Sequence, residues 1–139
     1  MTPEEAKLRD FAQRYTAAWC SQDAASVAAC YSPTGSLSIN GGAPSVGRCA
    51  ITEAAQGFMI TFPDLKVLMD ELCVQGDGAE YHWTLVGTNT GPGGTGHRVR
   101  ISGFEVWKLG ADGLIAESRG QFDGAEYQLQ LERGCEESS

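Results

Sequence analysis

Residues 87–123, GTNTGPGGTGHRVRISGFEVWKLGADGLIAESRGQFD, read as two strands, Arg98 to Leu109 and Leu114 to Phe122, fed by a third strand that ends at Gly87–Asn89. The turns between them, Gly-Pro-Gly-Gly and Gly-Ala-Asp-Gly, are hairpin connections. Acidic, amide and basic residues fall at alternate positions among apolar ones. In a half-buried strand that alternation decides which side chains share a face. Burying an unpaired polar group costs about 1–3 kcal/mol or more, so polar groups on the core face need a reason, and a lined pocket supplies one.

Upstream, Leu65 to Val74 and Glu80 to Thr90 continue the pattern and predict a four-strand antiparallel meander. Before the meander the period changes. Thr2, Pro3 and Glu5 spell a capping box for a first helix whose stripe is Leu8, Phe11, Ala12, Tyr15, Ala18 and Trp19. Ala24 to Tyr31 reads as a short second helix, Pro33 to Gly35 as a turn, Ser36 to Asn40 as a brief strand, and Gly47 to Ile60 as a third helix. Asp123 to Arg133 closes the chain as a helix with Gly134 at its end. Helices first and an antiparallel sheet afterwards is an α+β pattern. The expected organisation is one domain over residues 1–134 and a loose tail over 135–139.

Composition narrows the classes. A hydrophobic fraction of 42% and a charged fraction of 20% describe a globular chain. The net charge of −8 argues against nucleic acid as partner, and no apolar run reaches bilayer length. The five cysteines form no CxxC, and none pairs with a histidine at metal-ligand spacing. Buried reduced thiols are expected at Cys20, Cys30, Cys49 and Cys73, and a reducing cytoplasm as the compartment. His82 on the outer face and His97 at a turn are not expected to form a metal set, and no cofactor is expected. Gly91 to Gly96 lacks the lysine and following helix of a phosphate loop, so a flexible hairpin at a pocket rim is expected.

The element order together with Gly87-Thr-Asn-Thr-Gly91, Arg98 to Glu105, Asp112 to Glu117, Phe122-Asp123 and Phe62 to Leu65 resembles the SnoaL-like branch of the nuclear transport factor 2-like (cystatin-like) superfamily. That resemblance implies a cone-shaped α+β barrel, with N-terminal helices packed on a curved antiparallel sheet. It also implies a homodimer made through the outer face of the sheet. The scaffold hosts cyclases, isomerases, dehydratases, hydrolases and binders, so the site has to decide between them.

Strand-face arithmetic puts Tyr81, Trp83, Leu85, Gly87 and Asn89 on the concave face, with Val99, Ile101, Gly103, Glu105 and Trp107 beside them. On the last strand it puts Ile115, Glu117, Arg119, Gln121 and Asp123 there, unless a bulge reverses the phase. Glu105 is the first candidate for a general acid or base, since a carboxyl in an apolar cavity has its pKa raised towards neutrality. The alternative is a structural pair with Arg119. The resemblance puts an aspartate at Glu105, a histidine at Asn89 and a tryptophan at Arg119 in related cyclases. Asn89 orients a carbonyl or enolate, or satisfies its own hairpin. Arg119 holds a carboxylate, or compensates Glu105 or Glu117.

Tyr15, Trp19, Trp83, Trp107, Glu117 and Gln121 complete the expected lining, with Tyr31 near the first two aromatics. Asp123 ends the family motif but also spells a D-x-x-E cap with Glu126. The carboxylate base of the ketosteroid isomerases is missing at Ser38 to Asn40, and the arginine of the limonene-epoxide hydrolases is missing near Gly103–Glu105. The expected function is a small-molecule pocket protein, acting by acid/base chemistry on a hydrophobic carbonyl compound or binding a hydrophobic metabolite without turnover.

Overall fold

A computed structural model describes residues 2–135, so the expected tail beyond Cys135 lies outside the described residues. Thr2 caps helix α1 (Pro3–Cys20) through the reciprocal box with Glu5: the Glu5 N–H donates to Thr2 Oγ1 at 3.1 Å and the Thr2 N–H to Glu5 Oε1 at 3.1 Å. The buried stripe of α1 is the one its spacing predicts, from Leu8 through Tyr15 to Trp19. Asp23 caps a second helix α2 (Ala24–Ala28), which ends three residues sooner than its composition predicts. Tyr31 instead opens strand β1 (Tyr31–Ile39), paired with Ile115. The Pro33–Gly35 turn is absorbed into that strand as an irregularity between Tyr31 and Ser36. Gly35 fits there because a Cβ would sit 2.7 Å from the Ile115 carbonyl oxygen.

Strand β2 (Ser45–Val46) and helix α3 (Arg48–Thr61) follow, then β3 (Lys66–Gln75), β4 (Gly78–Thr88), β5 (Arg98–Leu109), β6 (Ile115–Phe122) and helix α4 (Gly124–Arg133). The sheet order is β2-β1-β6-β5-β4-β3. β3 to β6 form the predicted antiparallel meander, and β1 joins it parallel to β6. The sheet is curved and open, with β2 and β3 at its edges. α1 lies against β3, α3 against β1 and α4 against β5, which leaves a cone between helices and sheet.

Asp123 is a helix cap, accepting the Glu126 N–H at 3.0 Å. Asp123→Ala is expected to cost about 1 kcal/mol, the usual worth of an N-cap, measured by chemical denaturation. The cysteines depart from expectation: Cys20 and Cys49 are exposed, while Cys30 and Cys73 are half-buried. Cys20 sits on the last turn of α1, where its sulfur bonds the Val67 backbone at the edge strand. No helix among the described residues is long and apolar enough to cross a membrane.

Two bulges set the phase of the sheet. One lies between Met69 and Glu71, where Asp70 has no partner on β4. The other falls between Lys108 and Leu109, where β6 advances two residues, from Ile115 to Glu117, for one on β5. An extra residue flips every later side chain to the other face. On β6 the flip turns Ser118, Gly120 and Phe122 inward and Glu117, Arg119 and Gln121 outward.

Candidate functional site

The cone closes on an apolar cavity of about 60 Å³, measured to the centres of water-sized spheres. That much space for the centres of water-sized spheres admits several waters or a small apolar group. Aromatic rings of Trp19, Phe58, Tyr81, Trp83, Phe122 and Tyr127 form much of its wall, with Leu37 and Ile101 among the aliphatic side chains. Phe122 and Tyr127, half-buried and 5.4 Å apart edge to face, tie the end of the sheet to α4. Glu105 is the one carboxylate in the lining.

Glu105 stands on the inward face of β5, 8% exposed. Its Oε1 accepts three hydrogen bonds: from the Tyr15 hydroxyl of α1 at 2.9 Å, the Trp107 indole two residues along the same strand at 2.9 Å, and the Ser118 hydroxyl of β6 at 2.8 Å. With its own proton committed to Glu105, the Tyr15 oxygen accepts from the Tyr31 hydroxyl at 2.9 Å, extending the chain to β1. Three elements therefore converge on one oxygen, and a fourth, β1, reaches it through Tyr15. Oε2 has no hydrogen-bond partner among the described residues, and it is the oxygen left to the cavity.

Burial pushes the Glu105 carboxyl above its ordinary value of 4.5, because the charged form loses its hydration. The bonds from Trp107, Ser118 and Tyr15 favour the carboxylate and oppose that push without cancelling it. Tyr15 and Tyr31 are driven well above the ordinary phenol range by burial and by the charge of Glu105. Both hydroxyls remain donors. The arrangement holds a carboxyl with one oxygen fixed by three donors and the other without a partner at the edge of an apolar space, its proton held more tightly than in water.

The expected site residues separate into three groups. Glu105, Trp19 and Trp83 line the cavity. Tyr15 and Trp107 are buried behind it and act on Glu105 rather than on the cavity. Asn89, Arg119, Glu117 and Gln121 are corrections. Asn89 is buried, but its amide donates to Thr95 Oγ1 and the Leu131 carbonyl, both at 3.3 Å, tying the hairpin to α4 away from the carboxylate. Arg119, Glu117 and Gln121 face outward because of the β6 bulge. Arg119 lies across from Val106 and its Nε is 4.0 Å from Glu117 Oε1 in the open, so it does not compensate Glu105. Ser118, which the sequence reading missed, occupies the position that strict alternation gave to Glu117.

The profile of the SnoaL-like domain matches residues 12–118. No curated protein matches the sequence. Among solved structures, a putative SnoaL-like polyketide cyclase from Jannaschia sp. CCS1 is similar, with a TM-score of 0.84 at 19% identity over 97% of this chain and 98% of that one. A hypothetical protein with a ketosteroid isomerase-like fold from Catenulispora acidiphila DSM 44928 has a TM-score of 0.78 at 14% identity, covering 94% of each chain. The epoxide hydrolase/cyclase-like enzyme SalBIII, from pyran ring formation in the polyether salinomycin, has a TM-score of 0.77 at 16% identity over 90% of this chain and 97% of that one. The fold is the nuclear transport factor 2-like, cystatin-like one. With the profile spanning residues 12–118, most of the sheet together with α2 and α3, the chain belongs to the SnoaL-like domain family.

Proposed function

We propose that the chain is a cofactor-independent acid/base enzyme acting on a small hydrophobic carbonyl compound held in the cone. The observation that carries this reading is the Glu105 carboxyl, anchored through Oε1 by three donors and open to the cavity through Oε2. Protonated, Oε2–H donates to a substrate oxygen. Ionised, Oε2 accepts a proton from carbon or hydroxyl. Proton transfer of either kind contributes about 10²–10⁴-fold to a rate. The apolar wall supports a hydrophobic substrate. The Trp83 indole N–H supports a carbonyl: it is buried without a hydrogen-bond partner among the described residues, a deficit of about 1–3 kcal/mol that a ligand oxygen would offset once the ring turns its edge to the cavity.

A second reading, sequestration of a hydrophobic metabolite without turnover, is favoured by the corrections above. Asn89 and Arg119 do not reach the cavity, so Glu105 lacks the two polarising side chains expected beside it. We further propose that two copies pair through the outer face of the sheet, where Leu68 is 46% exposed and Phe104 is half-buried. A reducing cytoplasm is the proposed compartment, given the exposed thiols of Cys20 and Cys49.

The test of the pocket is ligand binding followed by tryptophan fluorescence, since Trp19 and Trp83 both line the wall. Apolar ketones and esters are expected to change that signal saturably. Ile101→Phe, which fills the cavity from β5, is expected to weaken binding about tenfold or more, or about 1.4 kcal/mol. Binding that Ile101→Phe leaves untouched would place the ligand elsewhere and remove this reading.

A further inference from the structure

On the opposite face of the sheet from the cavity, the β3–β4 hairpin gathers four side chains able to bind a metal. Glu71 lies directly across from His82 and Cys73 directly across from Glu80. The four form a quadrilateral on the outer face, at the edge strand. The bulge at Asp70 creates it: Val67 and Met69 are covered on the inner side before the bulge, Leu72 is buried after it, and Glu71 and Cys73 are turned outward. One ligand atom each from Glu71, Cys73 and His82 lies within 4.8 Å of the other two.

We propose that Glu71, Cys73 and His82 form a binding site for a borderline-soft divalent cation of the Zn²⁺ class. The donor set carries the choice of metal. A thiolate, an imidazole and a carboxylate together are zinc ligands, whereas calcium and magnesium take oxygen. In a tetrahedral zinc site the ligand atoms stand about 3.3–3.8 Å apart, as bond lengths of about 2.0–2.3 Å require. Glu71 is exposed and Cys73 half-buried, so rotation of the Glu71 side chain is the movement the proposed site requires to close the remaining gap.

The imidazole is already oriented. His82 Nε2 is 3.1 Å from Glu80 Oε1, and the Phe104 ring stacks on the imidazole at 5.5 Å and 29°. Gln75 Nε2 in turn donates to Glu80 Oε2 at 3.2 Å. With Nε2 against Glu80, Nδ1 is the nitrogen given to the metal in the proposed site; a carboxylate on the other ring nitrogen is the support that metal-bound histidines use, and losing it typically costs about 10–100-fold in affinity. Binding replaces the Cys73 thiol proton, which passes to solvent, and a water completes the coordination. Sequence spacing concealed the site, because Cys73 and His82 belong to different strands and meet only through the hairpin register.

Co²⁺ titration of the reduced full chain tests the proposal. The expected result is one saturable site with a near-ultraviolet thiolate-to-cobalt charge-transfer band that Zn²⁺ abolishes. Cys73→Ser is expected to remove the band, and Glu80→Gln to weaken binding about tenfold or more. Glu71→Gln, an exposed change on the edge strand, is expected to weaken binding in a fold left intact by circular dichroism. It serves as the independent variant if Cys73→Ser does not fold. The absence of saturable binding overturns the proposal. So does a thiolate band that survives Cys73→Ser, which would assign the metal to another cysteine, or an affinity unchanged in Glu71→Gln.

Discussion

Glu105→Gln is expected to lower turnover of a carbonyl substrate about 10²–10⁴-fold while leaving its affinity within a few-fold. The separation follows from the division of labour between the two oxygens. Glutamine keeps the shape of the side chain and one carbonyl oxygen, which still accepts from Tyr15, Trp107 and Ser118. The cavity wall is therefore preserved. The amide that replaces Oε2 neither gives nor takes a proton at neutral pH. A kcat lowered in this range with an unchanged Kd identifies Glu105 as the acid or base. Equal kcat in the two proteins removes that role. If ligands bind both proteins and neither turns them over, the cone is a binding site.

The sequence discloses the fold more readily than the site, and the reason is specific. The capping box at Thr2, the N-cap at Asp123 and the helical stripe through Tyr15 and Trp19 are local signals, and all three are present in the structure, although Glu126 turns its carboxylate to Gln130 and does not close a box with Asp123. The hairpin turns that define the meander are also local. Glu105 is legible because β4 and β5 pair without a bulge from Gly78–Lys108 to Thr88–Arg98, so alternation holds along their length.

The last strand breaks the rule. The irregularity after Ile115 depends on where β1 and β5 grip β6, which no periodicity within residues 114–122 records. It exchanged Ser118 for Glu117 and took Arg119 out of the site. Asn89 fails differently. It is on the predicted face, but β4 has ended at Thr88, and its amide is spent on Thr95 and the carbonyl of Leu131 in a helix that begins 35 residues later, at Gly124. Tyr31 was placed near the right neighbours as a helical residue and reaches them as a strand residue.

Tyr15→Phe is expected to destabilise the protein by about 1–3 kcal/mol and to push the Glu105 carboxyl further up. The Tyr15 hydroxyl serves two partners in a region closed to water, donating to Glu105 and accepting from Tyr31. Its loss leaves the Tyr31 hydroxyl without that acceptor and Oε1 with two donors in place of three. Fewer donors to the charged form favour the protonated one. The pH dependence follows from the direction of the shift. In the wild type, burial raises Glu105 above 4.5, so the folded protein holds this proton more tightly than the unfolded chain. The stability this contributes is fully present below about pH 4.5 and is lost as pH rises through the raised folded value. Urea denaturation across that window should show stability falling with pH in the wild type. The fall should extend to higher pH in Tyr15→Phe, and this contribution should vanish in Glu105→Gln, which has no proton to lose. A wild-type profile that matches Glu105→Gln throughout would mean that Glu105 titrates as it does in water, and the case for an acid/base carboxyl in the cone would fall with it.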